Sequence, residues 1–368
     1  MINQKIKILH TESSEGWGGQ EIRTLVEASA LDASGEFECV VMVSRESQMR
    51  DRGISYPVKL LPRKIGRKTL YGILEVHRVL RQEAPDIVCS HSSTDSWLVV
   101  LAVKIFGHRV KLVRYRHVSA PVSGGLLTRW LYQSSERIVT TSEEIRQRLI
   151  DSVEVIPDRI ISIPTGVECI TQWAPVTSSE RRDAREILKL DSDTFVAIMV
   201  STLRSWKGHV YAIRALKFID NAHLLIVGDG PQFQRLKQLV EDIELKDRVH
   251  FLGYREDPRP FMAAADVFLQ PSYSNEGVSQ SLLQAMSMEL PVIVSNIGGL
   301  NEVIDNEVDG KLISPKSVES FSVALIDLME DFDKRKRLGI AARTKVEANH
   351  SVDRMVSQMR VLFKDLSI

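Results

Sequence analysis

Four loops in this chain carry residue types that can do chemistry. In the first, Arg204 and Lys207 stand three apart near a helix start, where they can converge on one dianionic group. A diphosphate leaving group needs such charge, because negative charge accumulates on it as its bond breaks. The plain alternative is a pair of solvated surface cations. In the second loop, residues 274–286, Asn275, Glu276 and Gly277 meet the start of an apolar helix. Val278 and Ser279 there supply first-turn N–H groups suited to phosphate. Gln284 lies about two turns further on. A carboxylate and an amide so placed can hold hydroxyls at opposite ends of a nucleotide sugar; an ordinary capped helix would look the same.

The third loop ends in Arg116-His117 after an apolar run. A neutral imidazole can donate to a hydroxyl or a leaving oxygen, and an imidazolium can stabilise developing charge. A lone histidine is more often structural, and His91, His209 and His250 are read that way. His117 is set apart by its place at a strand end. The fourth loop, residues 15–21, holds Gly18-Gly19 ahead of a helix, where backbone can approach a ligand. It lacks the spacing of a dinucleotide fingerprint, and a tight turn without a ligand fits equally well.

Alternating elements must position these loops. Apolar runs at 6–9, 40–44, 86–90, 111–116 and 137–141 read as strands, and 21–33, 69–82 and 96–106 as helices. The pattern closes at 160–164 and restarts, with strands at 194–200, 222–227, 249–252, 267–270 and 292–295. The tail, 318–366, is helical and amphipathic. Such alternation predicts an α/β chain of two Rossmann-like domains with parallel sheets facing across a cleft. Ligands of such sheets bind outside the carboxyl ends of the strands, where all four loops fall. The expected division is 1–171, a linker at 172–187, 188–350, and a helix at 351–368 crossing back to the first domain.

Composition narrows the function classes. Lys plus Arg and Asp plus Glu both number 48 in 368 residues, so no basic excess points to nucleic acid. No run approaches the ~18 apolar residues of a membrane span, and residues 1–10 lack a secretory apolar core. The three cysteines, Cys39, Cys89 and Cys169, form no close pair; they read as buried thiols in a reducing cytosol.

At these residues the sequence resembles family 4 of the retaining glycosyltransferases, which have the GT-B fold. The shared features run in order over nearly the whole chain. They are Gly18-Gly19 followed by Glu21, Arg116-His117, Thr165-Gly166-Val167-Glu168, Arg204 with Lys207-Gly208, Gly228-Asp229-Gly230-Pro231, and Phe251-Leu252-Gly253. The run from Pro271-Ser272 to Met286, Pro291-Val292-Ile293 and Gly298-Gly299 complete the set. The resemblance implies roles. Arg204 and Lys207 would bind the donor diphosphate, with Val278 and Ser279 adding N–H contacts. Glu276 would hold sugar hydroxyls, with Asn275 and Gly277 beside it, and Gln284 the ribose. Arg255 would lie beside the base, His117 would face the transferred sugar, and Gly18, Gly19 and Gly228 would lie near the donor. Three departures stand out: Gln284 replaces the second of two glutamates eight apart, Thr202 replaces an arginine, and Thr165 an asparagine.

The resemblance implies a metal-independent, retaining hexosyl or related transfer from a UDP- or GDP-linked sugar to a glycan or glycolipid. Cell-surface polysaccharide or lipopolysaccharide assembly is the expected setting. No cofactor, metal or nucleic-acid partner is expected. A nucleotide-sugar 2-epimerase and a non-catalytic nucleotide-sugar-binding subunit are the rival readings. The basic cluster Arg63-Lys64-Ile65-Gly66-Arg67-Lys68 suggests peripheral contact with an anionic membrane on its cytoplasmic face, or with a charged acceptor such as a lipopolysaccharide core; a solvated loop is the alternative.

Overall fold

The structure, a computed structural model, describes residues 5–122, 124–274 and 276–367. Among them the chain forms two compact units. One comprises the described residues up to Gly166 and those from Val352 on; the other is Val167–Ser351.

The first unit holds a sheet of seven parallel strands: β1 (Ile6–Glu12), β2 (Phe37–Ser44), β3 (Lys59–Arg63), β4 (Ile87–Ser90), β5 (Lys111–Arg116), β6 (Arg137–Thr140) and β7 (Ile160–Ser162). Their order is β3-β2-β1-β4-β5-β6-β7. The second unit holds six: β8 (Phe195–Val200), β9 (Ala222–Val227), β10 (Val249–Gly253), β11 (Val267–Gln270), β12 (Val292–Ser295) and β13 (Lys311–Ile313), in the order β10-β9-β8-β11-β12-β13. Strands covered by helices on both faces need apolar residues at successive positions, and Phe195-Val196-Ala197-Ile198 is such a run, all buried. β1 and β8 sit inside their sheets, so the loops after them lie where strand order reverses, beside the loops after β4 and β11.

Local signals set the helix ends. Ser92 and Asp95 form a capping box at Ser93–Phe106, and Gly107 closes that helix at φ 67°. The last helix, Val352–Ser367, belongs to the first unit. Met355, Met359 and Phe363 lie in one apolar cluster with Val41, Val43 and Cys89, and Phe363 meets Phe37 edge-on at 6.1 Å. Burying a phenylalanine of this kind stabilises the unit by about 1.5–3 kcal/mol. All three cysteines are buried free thiols.

The structure differs from the sequence expectation over 172–187. Ser178–Ile187 is a helix, capped by Thr177, whose side chain accepts from Glu180 N while Glu180 accepts from Thr177 N at 2.8 Å. Arg181 and Arg185 both bind the Asp266 carboxylate, at 2.6 and 2.8 Å, and Asp266 also accepts from Val196 N. This segment is therefore built into the second unit. The division falls at Gly166, because Val167, Cys169 and Trp173 are already buried in the second unit's core.

Candidate functional site

In the second unit the loops after the strands are joined backbone to backbone. Leu203 N donates to Asp229 O at 2.9 Å, Gly228 N to Gly253 O at 2.8 Å, Tyr273 N to Trp206 O at 2.8 Å and Gly299 N to Glu276 O at 3.2 Å. Two glycines make the closest approaches possible. A Cβ on Gly208, at φ 74°, would fall 1.9 Å from Pro271 O, and one on Gly228, at φ 142°, 1.9 Å from Ser201 O. Gly228 is thus required by the chain's own packing, whatever else it touches.

This joining brings Lys207 to Glu276, with Nζ 2.6 Å from Oε1. Ser272 donates to the same Oε1 at 2.7 Å. Glu276 is 5% exposed and Ser272 fully buried, so the carboxylate is fixed by a hydroxyl from below and a cation beside it. An ammonium has three donors. One serves Glu276, leaving two for an incoming oxyanion.

The helix that follows spans Gln280–Ser287. Its N-cap residue, Ser279, makes no side-chain cap, and among the described residues no side chain accepts from the first-turn N–H groups. Val278 and Ser279 precede this turn instead of forming it, a shift from the sequence expectation. The chain is still extended at Ser279, at ψ 125°. Gln284 lies half-buried on this helix, between buried Leu283 and Ala285. Gly277 abuts the turn after β12, where a Cβ on Gly299 would lie 2.5 Å from the Gly277 carbonyl carbon. Asn275 lies outside the described residues.

Arg204 is placed differently from Lys207. It is exposed, its guanidinium 5.6 Å from the Trp206 ring, and it lines a cavity of about 190 Å³ with Arg214, Arg235 and Tyr273. Neither Lys207 nor Glu276 lines that cavity. Arg255 is exposed and stands 5.3 Å from the Phe261 ring. His209 is buried against Ser201 Oγ at 3.2 Å, and burial lowers its pKa to about 3. His250 pairs with His223 at 3.0 Å.

In the first unit His117 follows β5 and is half-buried. It does not stand alone. Its Nε2 lies 3.0 Å from His91 Nδ1, and His91 Nε2 lies 3.0 Å from His10 Nδ1. His10 belongs to β1, and His91 and His117 directly follow β4 and β5, its successive neighbours in the sheet. Burial pushes all three imidazoles down, His10 to about 3 and the other two well below the ordinary histidine value. Tyr115 stacks on His91 at 4.2 Å and donates to Glu27, which faces Arg23 at 3.5 Å with both side chains fully buried. His91 is buried and hydrogen-bonded, as a structural histidine would be, and in addition it links His10 to His117. Asp95 was missed: it accepts from Thr11 Oγ1 at 2.9 Å and from His91 N at 2.9 Å, fixing where His91 leaves its strand. A polar residue at the end of each of three strands was the available signal.

Gly18 caps the helix Gly19–Ala33, and Gln20 Nε2 donates to buried Glu12 at 2.6 Å. Burial, aided by Asp95 and Glu21, pushes the Glu12 carboxyl well up. A Cβ on Gly18 would meet only Glu21 Oε2, at 3.6 Å, so the chain's own packing does not demand glycine there. Among the described residues, no group of three or more His, Cys, Asp and Glu is arranged to hold a metal ion.

The chain is thus an α/β protein of two Rossmann-like units with polar side chains gathered at their strand ends. Comparison with known proteins gives the class. The family described as glycosyl transferases group 1 matches residues 180–345, and glycosyltransferase family 4 matches residues 17–169. The UDP-Gal:alpha-D-GlcNAc-diphosphoundecaprenol alpha-1,3-galactosyltransferase of Escherichia coli is 30% identical, over 100% of this chain and 98% of its own length. The N-acetyl-alpha-D-glucosaminyl L-malate synthase of Bacillus anthracis is 24% identical over 82% of this chain and 77% of its own. Among solved structures, HepE of Anabaena in complex with UDP-glucose superposes with a TM-score of 0.87 at 20% identity, covering 98% of this chain and 100% of that one. A glycosyltransferase from Rickettsia africae gives 0.87 at 21% identity, covering 98% of each. The chain belongs to glycosyltransferase family 4, and its two units are the Rossmann-like domains of a GT-B fold.

Proposed function

We propose that this glycosyltransferase moves a hexosyl or related unit from a UDP- or GDP-linked sugar to a glycan or glycolipid, with retention and without a metal ion. The observation that carries the reading is the Lys207–Glu276 pair beside an uncapped helix N-terminus. Lys207 and the first-turn N–H groups take up the charge that grows on the departing diphosphate. Glu276 holds sugar hydroxyls, Gln284 the ribose, Arg255 the base, and His117 the transferred sugar. Arg204 reaches the diphosphate only by turning from its cavity, so its share is smaller. As the bond from C1 to the diphosphate oxygen breaks, the acceptor oxygen bonds C1 from the same face. The acceptor's proton passes to the departing phosphate oxygen. With a lysine and backbone dipoles in place, the leaving group needs no metal.

A UDP-linked donor and a lipid-diphosphate acceptor are supported by the Escherichia coli relative, named for UDP-Gal and GlcNAc-diphosphoundecaprenol. A lipopolysaccharide core glycosyltransferase of Rhizobium meliloti, 31% identical over 42% of this chain and 45% of its own, supports a role in cell-surface glycan assembly. The test is transfer from UDP- and GDP-sugars to GlcNAc-diphosphoprenol with excess EDTA, the new linkage read by NMR. An alpha product from an alpha donor at an unchanged rate in EDTA is expected. A beta product would end the retaining reading, and loss of rate in EDTA the metal-free one. Donor conversion without acceptor would identify an epimerase, and donor binding without UDP or GDP release a binding subunit.

We also assign the first unit a contact with anionic lipid. Among the described residues, no helix is long and apolar enough to cross a membrane. Lys64 and Lys68 stand over the rings of Tyr71 and Trp97, and Trp97 meets Trp130 at 5.9 Å. Leu70, Leu126 and Leu127 nearby are 81%, 83% and 71% exposed. Cations beside exposed aromatic and aliphatic side chains suit a headgroup interface, with each basic residue near the surface worth about 1 kcal/mol. Reversing Lys64, Arg67 and Lys68 to glutamate is expected to weaken sedimentation with phosphatidylglycerol vesicles about tenfold or more. Unchanged sedimentation would remove the assignment.

A further inference from the structure

The three linked histidines have a direction. His10, His91 and His117 are each held neutral by burial, so each carries one N–H and one bare nitrogen. Thr24 decides which nitrogen is which. Its hydroxyl donates to Gln20 O at 2.9 Å, the usual bond of a helical threonine to the preceding turn. That uses its only hydrogen. Thr24 Oγ1 also lies 3.1 Å from His91 Nδ1, and there it can only accept. His91 therefore carries its proton on Nδ1.

The rest of the chain follows from that assignment. His91 Nε2 is bare and accepts from His10 Nδ1–H at 3.0 Å. His10 Nε2 is then bare as well. Among the described residues it is a buried atom with no partner, which a lone pair tolerates better than an N–H would. In the other direction, His91 Nδ1–H is shared between Thr24 and His117 Nε2, so His117 Nε2 must accept. Reversing the chain would bury an unpaired N–H at His10 and set two lone pairs facing each other at Thr24. Both ends oppose reversal.

We infer that Thr24 and His91 lock His117 in the Nδ1–H tautomer, so that His117 offers the substrate a hydrogen-bond donor and never a base. The assignment of a substrate to His117 rests on the transferase reading; the tautomer itself does not. Thr24 and His91 are positioning residues, acting through His117. An atom that meets His117 Nδ1 must be an acceptor, such as a sugar hydroxyl or ring oxygen. Proton abstraction from the acceptor then falls to another group, consistent with the leaving phosphate.

Long-range proton–nitrogen correlation on protein with nitrogen-15-labelled histidine reads the tautomer directly. His117 is expected to show a pyrrole-type Nδ1 and a pyridine-type Nε2. A pyrrole-type Nε2 at His117 would overturn the inference, and this measurement requires neither a variant nor an assay. Thr24→Val is close to isosteric and removes the anchoring oxygen. It is expected to give mixed tautomers at His117 and to lower kcat about tenfold, with donor KM little changed. Thr24→Ser should restore both. A Thr24→Val protein with the wild-type nitrogen pattern would remove Thr24 from the role. A locked tautomer in a protein that transfers no sugar would leave the lock standing and refute the transferase reading.

Discussion

Lys207→Ala is expected to yield a folded protein whose transfer rate is lower by about 10²- to 10³-fold, the usual cost of removing one preorganised donor from developing negative charge. The fold should survive, because the lysine is half-buried at the end of a short turn while Gly208 makes the loop's close approach. Lys207 is held at 2.6 Å by Glu276, so its ammonium is oriented before the donor arrives. That preorganisation makes its loss costly to the chemical step and not only to binding. Part of the effect comes from Glu276, which is buried and, among the described residues, would keep only Ser272 as a side-chain partner. Lys207→Arg separates the two contributions, since it keeps the charge but changes the donor geometry; partial activity is expected. Steady-state release of UDP or GDP, with thermal melting as the folding control, makes the measurement. A folded Lys207→Ala protein with an unchanged kcat would refute the assignment of Lys207.

Glu27→Ala is expected to cost about 3–5 kcal/mol of stability, the range for removing one partner of a buried pair. Arg23 and Glu27 are both wholly buried, a turn apart on one helix. Arg23 NH1 donates to Ile163 O at 2.7 Å, which ties the first helix to the end of β7, but among the described residues Glu27 is its anionic partner. Without Glu27 the guanidinium remains in the interior uncompensated, and the Tyr115 hydroxyl loses its carboxylate acceptor and keeps the weaker Met359 Sδ at 3.7 Å. Glu27→Gln retains an acceptor for Tyr115 and should lose less. Combining Glu27→Leu with Arg23→Met removes both charges and should recover most of the stability. Urea unfolding of the three variants checks the order. A Glu27→Ala loss below about 1 kcal/mol, the scale of an exposed ion pair, would contradict it. Because Tyr115 stacks on His91 and His117, the same substitution should also loosen the imidazole chain.

Much of this was legible in the sequence, and the exceptions share a cause. The strand and helix pattern was plain where runs are long, as at Phe195–Val200. β3 and β13 escaped because Lys59–Arg63 and Lys311–Ile313 are short, mixed in character and defined by their neighbours. The helix Ser178–Ile187 did have a local signal, the Thr177-to-Glu180 capping box. It was hidden by the polarity of a segment whose arginines are explained only by Asp266, far away in sequence. The direct pairing of Lys207 with Glu276 was not legible, because it depends on which strand-end loops lie side by side. The departure of Arg204 toward Arg214 and Arg235 could not be read from spacing alone, which fixes order along the chain but not the side of a loop. His91 and His10 were illegible for the same reason: their link to His117 depends on which strands lie side by side.

The backbone ties among the strand-end loops of the second unit bear on how such an enzyme changes its donor. Leu203 leans on Asp229, Tyr273 on Trp206, and Gly299 on Glu276, each through main-chain atoms. A single loop grafted from a relative would arrive without the partners that hold it, so these segments are inherited as a set. On the proposed function, variation would be left to side chains that tie no neighbouring loop by a hydrogen bond or ion pair among the described residues, and Arg255 and Gln284 are of that kind. On that reading, new substrate preference would arise by point substitution on a fixed frame, without rebuilding the frame itself.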